Sequence, residues 1–342
     1  VCLSDLNNLN NINAITQNIL QEMTNPFHIN NEQFFLSASI GITLYPDDAT
    51  SVQDLLKNAD QAMFHAKANG RNRSHYFTSS MQKEALYRKE ITKDLRTALD
   101  KDQFTVHYQP IVEMMTGNIF KAEALIRWQH PERGFISPVD FIPVAEESGL
   151  IVGIGDWVFH TASQQAEKWR QIYNEDFQVS INKSPRQFQK EGDSAQDYLD
   201  FLNKHDLSTQ GIVIEITEGL LMDSNTSVTD QLRTFRDAGI KVSLDDFGTG
   251  YSSLSYLRKF DMDYLKIDRS FVQNLVEDTA DQALCEAIIV MAHKLGIKVI
   301  AEGIETEQQR EFLFNAGCDY GQGYLFSKPV PADEFEKLLS NN

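Results

Sequence analysis

Short apolar runs recur through the last two-thirds of the chain, and most end on or carry a polar side chain with no obvious place in a core. Residues 120–125 carry Glu123, residues 179–181 precede Asn182, and residues 212–217 carry Glu215. Residues 240–244 precede Asp245 and Asp246, residues 264–268 carry Lys266, and residues 297–301 precede Glu302. The runs are short and rich in β-branched residues, as buried parallel strands are. From Asn182 onward they recur at roughly 20 to 36 residues, about the length of a βα unit. The pattern predicts an α/β fold, a TIM-like (β/α)8 barrel, whose strand ends converge on one face. Two earlier runs, 104–112 and 118–127, flank Thr116-Gly117 and predict an antiparallel hairpin at the start of the barrel. Ser137-Pro138-Val139-Asp140 reads as a helix start, with serine as cap, proline in the first turn and an acid after it. A last helix is expected near residues 332–339.

Residues 1–78 have a different rhythm. Ile12, Ile15, Ile19 and Met23 fall at helical spacing. Residues 34–44 alternate as a strand with Leu36, Ala38, Ile40, Ile42 and Leu44 on one face. Leu55, Leu56, Ala59, Ala62, Met63 and Ala66 form a second amphipathic helix, closed by Gly70. One strand and two helices are too few to build a covered sheet. Residues 79–102 predict a linking helix with Leu86, Ile91, Leu95 and Leu99 on its apolar face. The expected organisation is therefore a partial α+β segment over 1–78, a linker helix over 79–102, and the barrel over 103–342.

The formal charge of −18 argues against broad binding to duplex nucleic acid or an anionic membrane surface. An anionic substrate would need metal ions or a local basic group to offset that field. The cysteines Cys2, Cys285 and Cys318 show no metal-ligand spacing and read as reduced thiols of a cytoplasmic protein. No apolar stretch approaches the roughly 20 residues of a membrane span. The chain starts at Val1, so an upstream sensor or membrane region, with this part on the cytoplasmic side, is the expectation for a longer protein.

Carboxylates, one amide and one lysine gathered at a barrel face suit hard divalent cations and a phosphate substrate. The motifs that carry these residues are Tyr108-Gln109-Pro110-Ile111, Glu123-Ala124-Leu125-Ile126-Arg127-Trp128, Asn182-Lys183-Ser184 and Glu215-Ile216-Thr217-Glu218. They continue as Asp245-Asp246-Phe247-Gly248-Thr249-Gly250, Leu265-Lys266-Ile267-Asp268, Ala301-Glu302-Gly303-Ile304-Glu305 and Gly321-Gln322-Gly323-Tyr324. Eight such motifs in order, from about residue 95 to 339, resemble the EAL family of cyclic-di-GMP phosphodiesterases. The resemblance implies a barrel with an antiparallel first strand and hydrolysis of cyclic-di-GMP to linear 5′-pGpG with Mg2+ or Mn2+, two ions in all. Residues 1–78 resemble the second half of a GGDEF domain, through Ser37-Ala38-Ser39-Ile40-Gly41-Ile42, Tyr45-Pro46 and residues 59–67. The Gly-Gly-Asp/Glu-Glu-Phe string is absent, which implies that this segment does not synthesise the dinucleotide.

The resemblance also implies roles. Glu123, Asn182, Glu215 and Asp245 would ligate metal, Asp246 would help bind the second ion, and Glu302 would complete the metal and water shell. Lys266 would contact the attacking water, and its carboxylate neighbours should keep it charged. Gln109 and Gln322 would hydrogen-bond substrate or its water. Arg127 shares a strand face with Glu123 and Leu125 and is the natural bidentate phosphate clamp. Leu125 and Pro138 would offer apolar contacts to a guanine. Residues 246–250 would form a lid anchored by Glu218. Each role has a plainer counterpart. Strand-end acids cap helices, a buried lysine pairs with one acid, an arginine closes a rim salt bridge, and a glycine-flanked loop is an ordinary turn. An inactive EAL domain that senses cyclic-di-GMP or docks a protein is the alternative to the enzyme, though every matched ligand position is filled. Lys183 stands where the family more often has a small apolar residue, and it points away from Asn182. His107, His160 and His293 read as core or surface residues. Homodimer formation is one way to cover the apolar surface of residues 1–78.

Overall fold

A computed structural model describes residues 9–29, 32–189, 194–222, 226–248, 257, 260–275 and 279–340. The chain divides into two compact units, Val1–Lys93 and Asp94–Asn342. In the first, α1 (Leu9–Thr24) precedes a small hairpin of β1 (Phe27–Ile29) and β2 (Glu32–Phe34). Next come β3 (Ile40–Ile42), α2 (Val52–Ala68) and β4 (Ser74–Tyr76). The expected strand over 34–44 is thus broken, with residues 35–39 outside regular structure. Nor do residues 1–78 hold only the one strand expected over 34–44: β3 pairs in parallel with β4, with α2 as the crossover. Ser74-His75-Tyr76 is too short and polar to announce itself as a strand. A Cβ on Gly41 would run into the Ala59 carbonyl and the Met63 amide, so glycine lets α2 lie on β3. The buried stripe of α1 is Ile12, Thr16 and Leu20, while Ile19 is exposed.

Helix α3 (Ser79–Ala98) carries the chain into the second unit, with Ile91 and Leu95 buried and Leu86 exposed. Strands β5 (Phe104–Glu113) and β6 (Ile119–His130) form the expected hairpin, turned by Gly117 at φ 77°. A short strand that periodicity did not show, β7 (Gly134–Ile136), adds to β6 before α4 (Pro138–Ser148). Ser137 is the N-cap of α4 by backbone geometry but makes no side-chain cap bond. Then follow α5 (Ile151–Ile172), β8 (Gln178–Asn182), α6 (Pro185–Phe188), α7 (Ser194–Lys204) and β9 (Ile212–Thr217). Helices α8 (Glu218–Met222) and α9 (Thr226–Asp237) lead to β10 (Lys241–Phe247), β11 (Tyr264–Ile267), β12 (Lys298–Ala301) and β13 (Tyr320–Gly321).

The sheet order β5-β13-β12-β11-β10-β9-β8-β6 closes through the β5–β6 pair, giving an eight-stranded barrel. β5 runs antiparallel to both of its neighbours, and the other pairings within the barrel wall are parallel. Outward-facing residues such as Val179, Ile214, Leu244 and Leu265 are buried under the helices. Trp169 of α5 packs there, stacked on Phe335 and edge-on to Tyr108. Inside the barrel, Ile111, Val213, Tyr264 and Ile300 form a separate apolar cluster that fills part of the lumen. No described helix is long and apolar enough to cross a membrane.

Candidate active site

Alternation along each strand decides what enters the lumen. On β6 the inward positions include Lys121 and Glu123, on β8 Ser180 and Asn182, on β9 Val213 and Glu215, and on β11 Tyr264 and Lys266. The register sets them level: Glu123 lies opposite Ser180, and Asn182 opposite Glu215. At the carboxyl ends of the parallel strands these side chains meet around one ammonium. Lys266 Nζ lies 2.8 Å from Glu215 Oε2, 2.5 Å from Glu302 Oε1, 3.3 Å from Glu123 Oε2 and 3.4 Å from Asp245 Oδ1. Lys266 is only 1% exposed.

Glu123 is held from three sides. Asn182 Nδ2 donates to its Oε1 at 2.7 Å, and Lys266 Nζ and Gln322 Nε2 donate to its Oε2 at 3.3 and 2.7 Å. Donation through Nδ2 leaves the Asn182 carbonyl oxygen as a donor atom for a cation. Gln322 also donates to Gln109 Oε1 at 3.0 Å, and Gln109 donates to the Ser327 carbonyl at 3.1 Å. The two glutamines expected to meet substrate therefore brace Glu123. Gln322 keeps one buried oxygen without a partner. Gln322 follows β13, and Gly323 lies so close to the Ile304 backbone that a side chain there would collide with it.

Two consecutive residues of a regular strand face opposite sides, so Asp245 and Asp246 should not share a site. A bulge on β10 between Leu244 and Phe247, with Asp246 at φ 55°, resolves this. Carboxylate oxygens of Asp245, Asp246 and Glu302 then lie within 4.8 Å of one another, a spacing suited to one cation. Gly248, at φ 99°, donates its amide to Glu218 Oε2 at 3.3 Å, so Glu218 does reach the start of the loop. Thr249 and Gly250, the rest of the expected lid, lie outside the described residues. Arg127 is half-buried, with Nη1 donating to the Ile126 carbonyl at 2.9 Å. Among the described residues, no carboxylate stands within ion-pair distance of it. Leu125 and Pro138 are partly exposed, on β6 and at the start of α4.

Burial and charge pull the titrating groups apart. Burial opposes the Lys266 ammonium, but Asp245, Glu123, Glu215 and Glu302 outweigh it and hold the group well above the ordinary lysine range. Burial pushes Glu215 up to about 7 and Glu302 up to about 8, against the pull of Lys266. Burial also raises Asp246, with Asp245 adding to it. Glu123 is the exception: although burial opposes its charge, Lys266, Gln322 and Asn182 together hold it below the usual range. Cation binding needs the carboxylates deprotonated. Mn2+ affinity is therefore expected to rise as pH increases through about 7 to 8, with protons released on binding. Calorimetry in buffers of different ionisation enthalpy measures that release. A pH-independent affinity would mean that Glu215 and Glu302 are already ionised or take no part.

The donor set is chemically consistent with a hard cation: carboxylates and one amide carbonyl, with oxygens of Asp245, Asp246 and Glu302 gathered within 4.8 Å of one another. Two further residues, Lys121 and Ser184, shape the site though the motifs assign them no role. Lys121 is fully buried two positions before Glu123, and the period-two rule alone would have placed it in the lumen. Ser184 Oγ donates to Glu146 Oε1 at 2.7 Å and caps α6 with Gln187, fixing the backbone just after Asn182. Lys183 is buried against the rings of Tyr198, Phe188 and Phe235 on the outer side of the barrel wall. His160 stacks on Phe201 and His293 pairs with Asp319, so neither enters the site. Cys285 and Cys318 are free and buried, and Cys2 lies outside the described residues.

The family model for the EAL domain matches residues 92–329. The chain belongs to the EAL domain family. The model described as "Diguanylate cyclase, GGDEF domain" matches residues 1–73 of this EAL-domain chain. The bifunctional diguanylate cyclase/cyclic di-GMP phosphodiesterase MucR of Pseudomonas aeruginosa is 40% identical over 326 residues, 94% of this chain and 47% of that protein. The cyclic di-GMP phosphodiesterase PdeR of Escherichia coli is 38% identical over 328 residues, 95% of this chain and 49% of that protein. The chain thus spans about half the length of the curated relatives it matches. Among solved structures, the PaMucR phosphodiesterase in complex with c-di-GMP aligns at TM-score 0.69 and 39% identity, covering 72% of this EAL-domain chain and 99% of that one. The EAL domain of Mycobacterium smegmatis DcpA aligns at TM-score 0.60 and 33% identity, covering 70% and 98%.

Proposed function

We propose that this chain is a metal-dependent phosphodiesterase that opens cyclic-di-GMP to linear 5′-pGpG. The observation that carries the reading is the convergence of Glu123, Asn182, Glu215, Asp245, Asp246 and Glu302 from five strands around Lys266. Glu123, Asn182, Glu215 and Asp245 would hold one divalent cation, and Asp245, Asp246 and Glu302 a second. Bound Mg2+ or Mn2+ would supply Lewis-acid stabilisation of the phosphoryl oxygens and a water acidic enough to attack. The protein's own groups do the rest. Lys266, kept charged, donates to the attacking oxygen and offsets the negative charge that grows on the phosphoryl group. Gln322 and Asn182 keep Glu123 in one rotamer, so its charge does not move during the reaction. Arg127 clamps a phosphate, and Leu125 and Pro138 flank a base. Glu218 holds the start of the loop that follows Asp246. Hydrolysis adds water across one P–O3′ bond, leaving the 5′ phosphate and freeing the 3′ hydroxyl. A substrate panel tests the reading: cyclic-di-GMP should be cleaved in strong preference to bis(p-nitrophenyl) phosphate. Equal rates would reduce the assignment to an unspecific diesterase.

Arg127→Ala should mainly raise KM, because a phosphate clamp serves ground and transition states alike. Steady-state kinetics separates the terms, and an unchanged KM counts against the clamp.

The division into a partial GGDEF-like segment over 1–78, a linker over 79–102 and a catalytic barrel over 103–342 belongs to the same proposal. The proposed site residues all lie in the last part. Phe35, Val52 and Leu56 are 73%, 72% and 67% exposed, and burying them against a second copy would give a homodimer. Deleting residues 1–78 should leave a folded, hydrolytic barrel and change its assembly state in light scattering. A folded deletion protein without hydrolysis would end this division of labour.

A further inference from the structure

Beneath the carboxylates, beside the apolar cluster of Val213, Tyr264 and Ile300, the lumen also holds buried polar side chains. Lys121 on β6 is fully buried and reaches across the barrel, its Nζ 3.3 Å from the centre of the Tyr264 ring on β11. A lysine amine over a ring face is a favourable contact, yet Nζ makes no hydrogen bond to any described protein atom. The same holds for Ser180 Oγ on β8, Ser243 Oγ on β10 and Glu215 Oε1 on β9. All four residues occupy inward positions of the same wall. Lys121, Ser180 and Ser243 each lie two residues before Glu123, Asn182 and Asp245 on their strands, one inward layer below them, with Ser243 paired in the ladder to Glu215 and Tyr264 and Ser180 to Glu123 and Val213. Burial lowers the Lys121 amine to about 7, with Glu215 pulling it back upward.

Buried polar atoms are nearly always satisfied, by protein or by ordered water. A lysine amine, two hydroxyls and a carboxyl oxygen are a set that water completes, because each molecule both donates and accepts. A lumen lined only by apolar groups would stay dry. We propose that Lys121, Ser180 and Ser243 hold ordered water beneath Glu215, and that this hydrated floor fixes Glu215 Oε1 so that Oε2 stays turned to the cation face. Lys121 and Ser243 are then positioning residues that never touch substrate. The inference rests on the reading of Glu215 as a cation ligand.

The test pairs a crystal structure of the full chain, at a resolution that shows water, with calorimetric Mn2+ titration of Ser243→Ala. A water within hydrogen-bond distance of both Lys121 Nζ and Glu215 Oε1 is expected. Mn2+ binding should weaken about tenfold, as for other groups that orient a metal ligand, while the melting temperature of the metal-free protein stays unchanged. Ser180→Ala serves as the second variant if Ser243→Ala folds poorly. A dry lumen, or unchanged Mn2+ affinity in the folded variants, overturns the proposal. Hydrated density in a wild-type protein that binds no Mn2+ would uphold the floor and sink the cation reading instead.

Discussion

Glu123→Ala is expected to lower turnover of cyclic-di-GMP by at least about a thousandfold, roughly 4 kcal/mol of barrier. The carboxylate removed accepts from Asn182, Lys266 and Gln322 at once. Its loss takes away a proposed cation ligand and also leaves two buried donors, on Lys266 and Gln322, and the amide of Asn182 searching for partners. Alanine is small enough for the strand to persist, because Glu123 sits inside the barrel and the β6 backbone pairs with β5 and β8 regardless. Far-UV circular dichroism should be unchanged while calorimetry shows Mn2+ binding lost or strongly weakened. Activity within about tenfold of wild type, about 1.4 kcal/mol, would mean that Glu123 is not a ligand.

Lys266→Met should lower kcat by about a hundredfold or more, the scale of losing one pre-organised group that stabilises developing charge. Methionine keeps an unbranched apolar stem as far as Cε, with sulfur in place of Cδ, and removes the ammonium. The four carboxylates that now share it, Glu123, Glu215, Asp245 and Glu302, would face one another uncompensated. The metal-free variant should therefore lose about 3–5 kcal/mol of stability, as when one partner of a buried ion pair is removed, and added Mn2+ should restore most of it. A catalytic role and a structural one separate here. If kcat per metal-loaded molecule is unchanged, Lys266 is only the counter-ion of the empty ring.

The barrel was legible because its strands are fully buried runs with polar ends, and burial on both faces leaves a continuous apolar signature. The site was legible for the same reason, since Glu215 or Lys266 inside such a run is conspicuous. Three features were hidden. The bulge that brings Asp246 beside Asp245 depends on one left-handed residue, and nothing in Leu244-Asp245-Asp246-Phe247 announces it. The bracing of Glu123 by Gln322 and Gln109 joins residues some two hundred positions apart, which a linear reading assigns separately. In the first unit, β3 and β4 are three residues each, below the length at which alternation can be read. Residues 35–39 continue the alternation of a strand without forming one, because periodicity records compatibility with a sheet and not the presence of a partner.

The central claim is tested most directly by incubating the full chain with cyclic-di-GMP, with Mg2+ or with a chelator, and resolving the products by chromatography. The account predicts a single new peak of linear 5′-pGpG that appears with Mg2+ and is abolished by the chelator. Tight binding of cyclic-di-GMP with no product in the presence of Mg2+ or Mn2+ would contradict it.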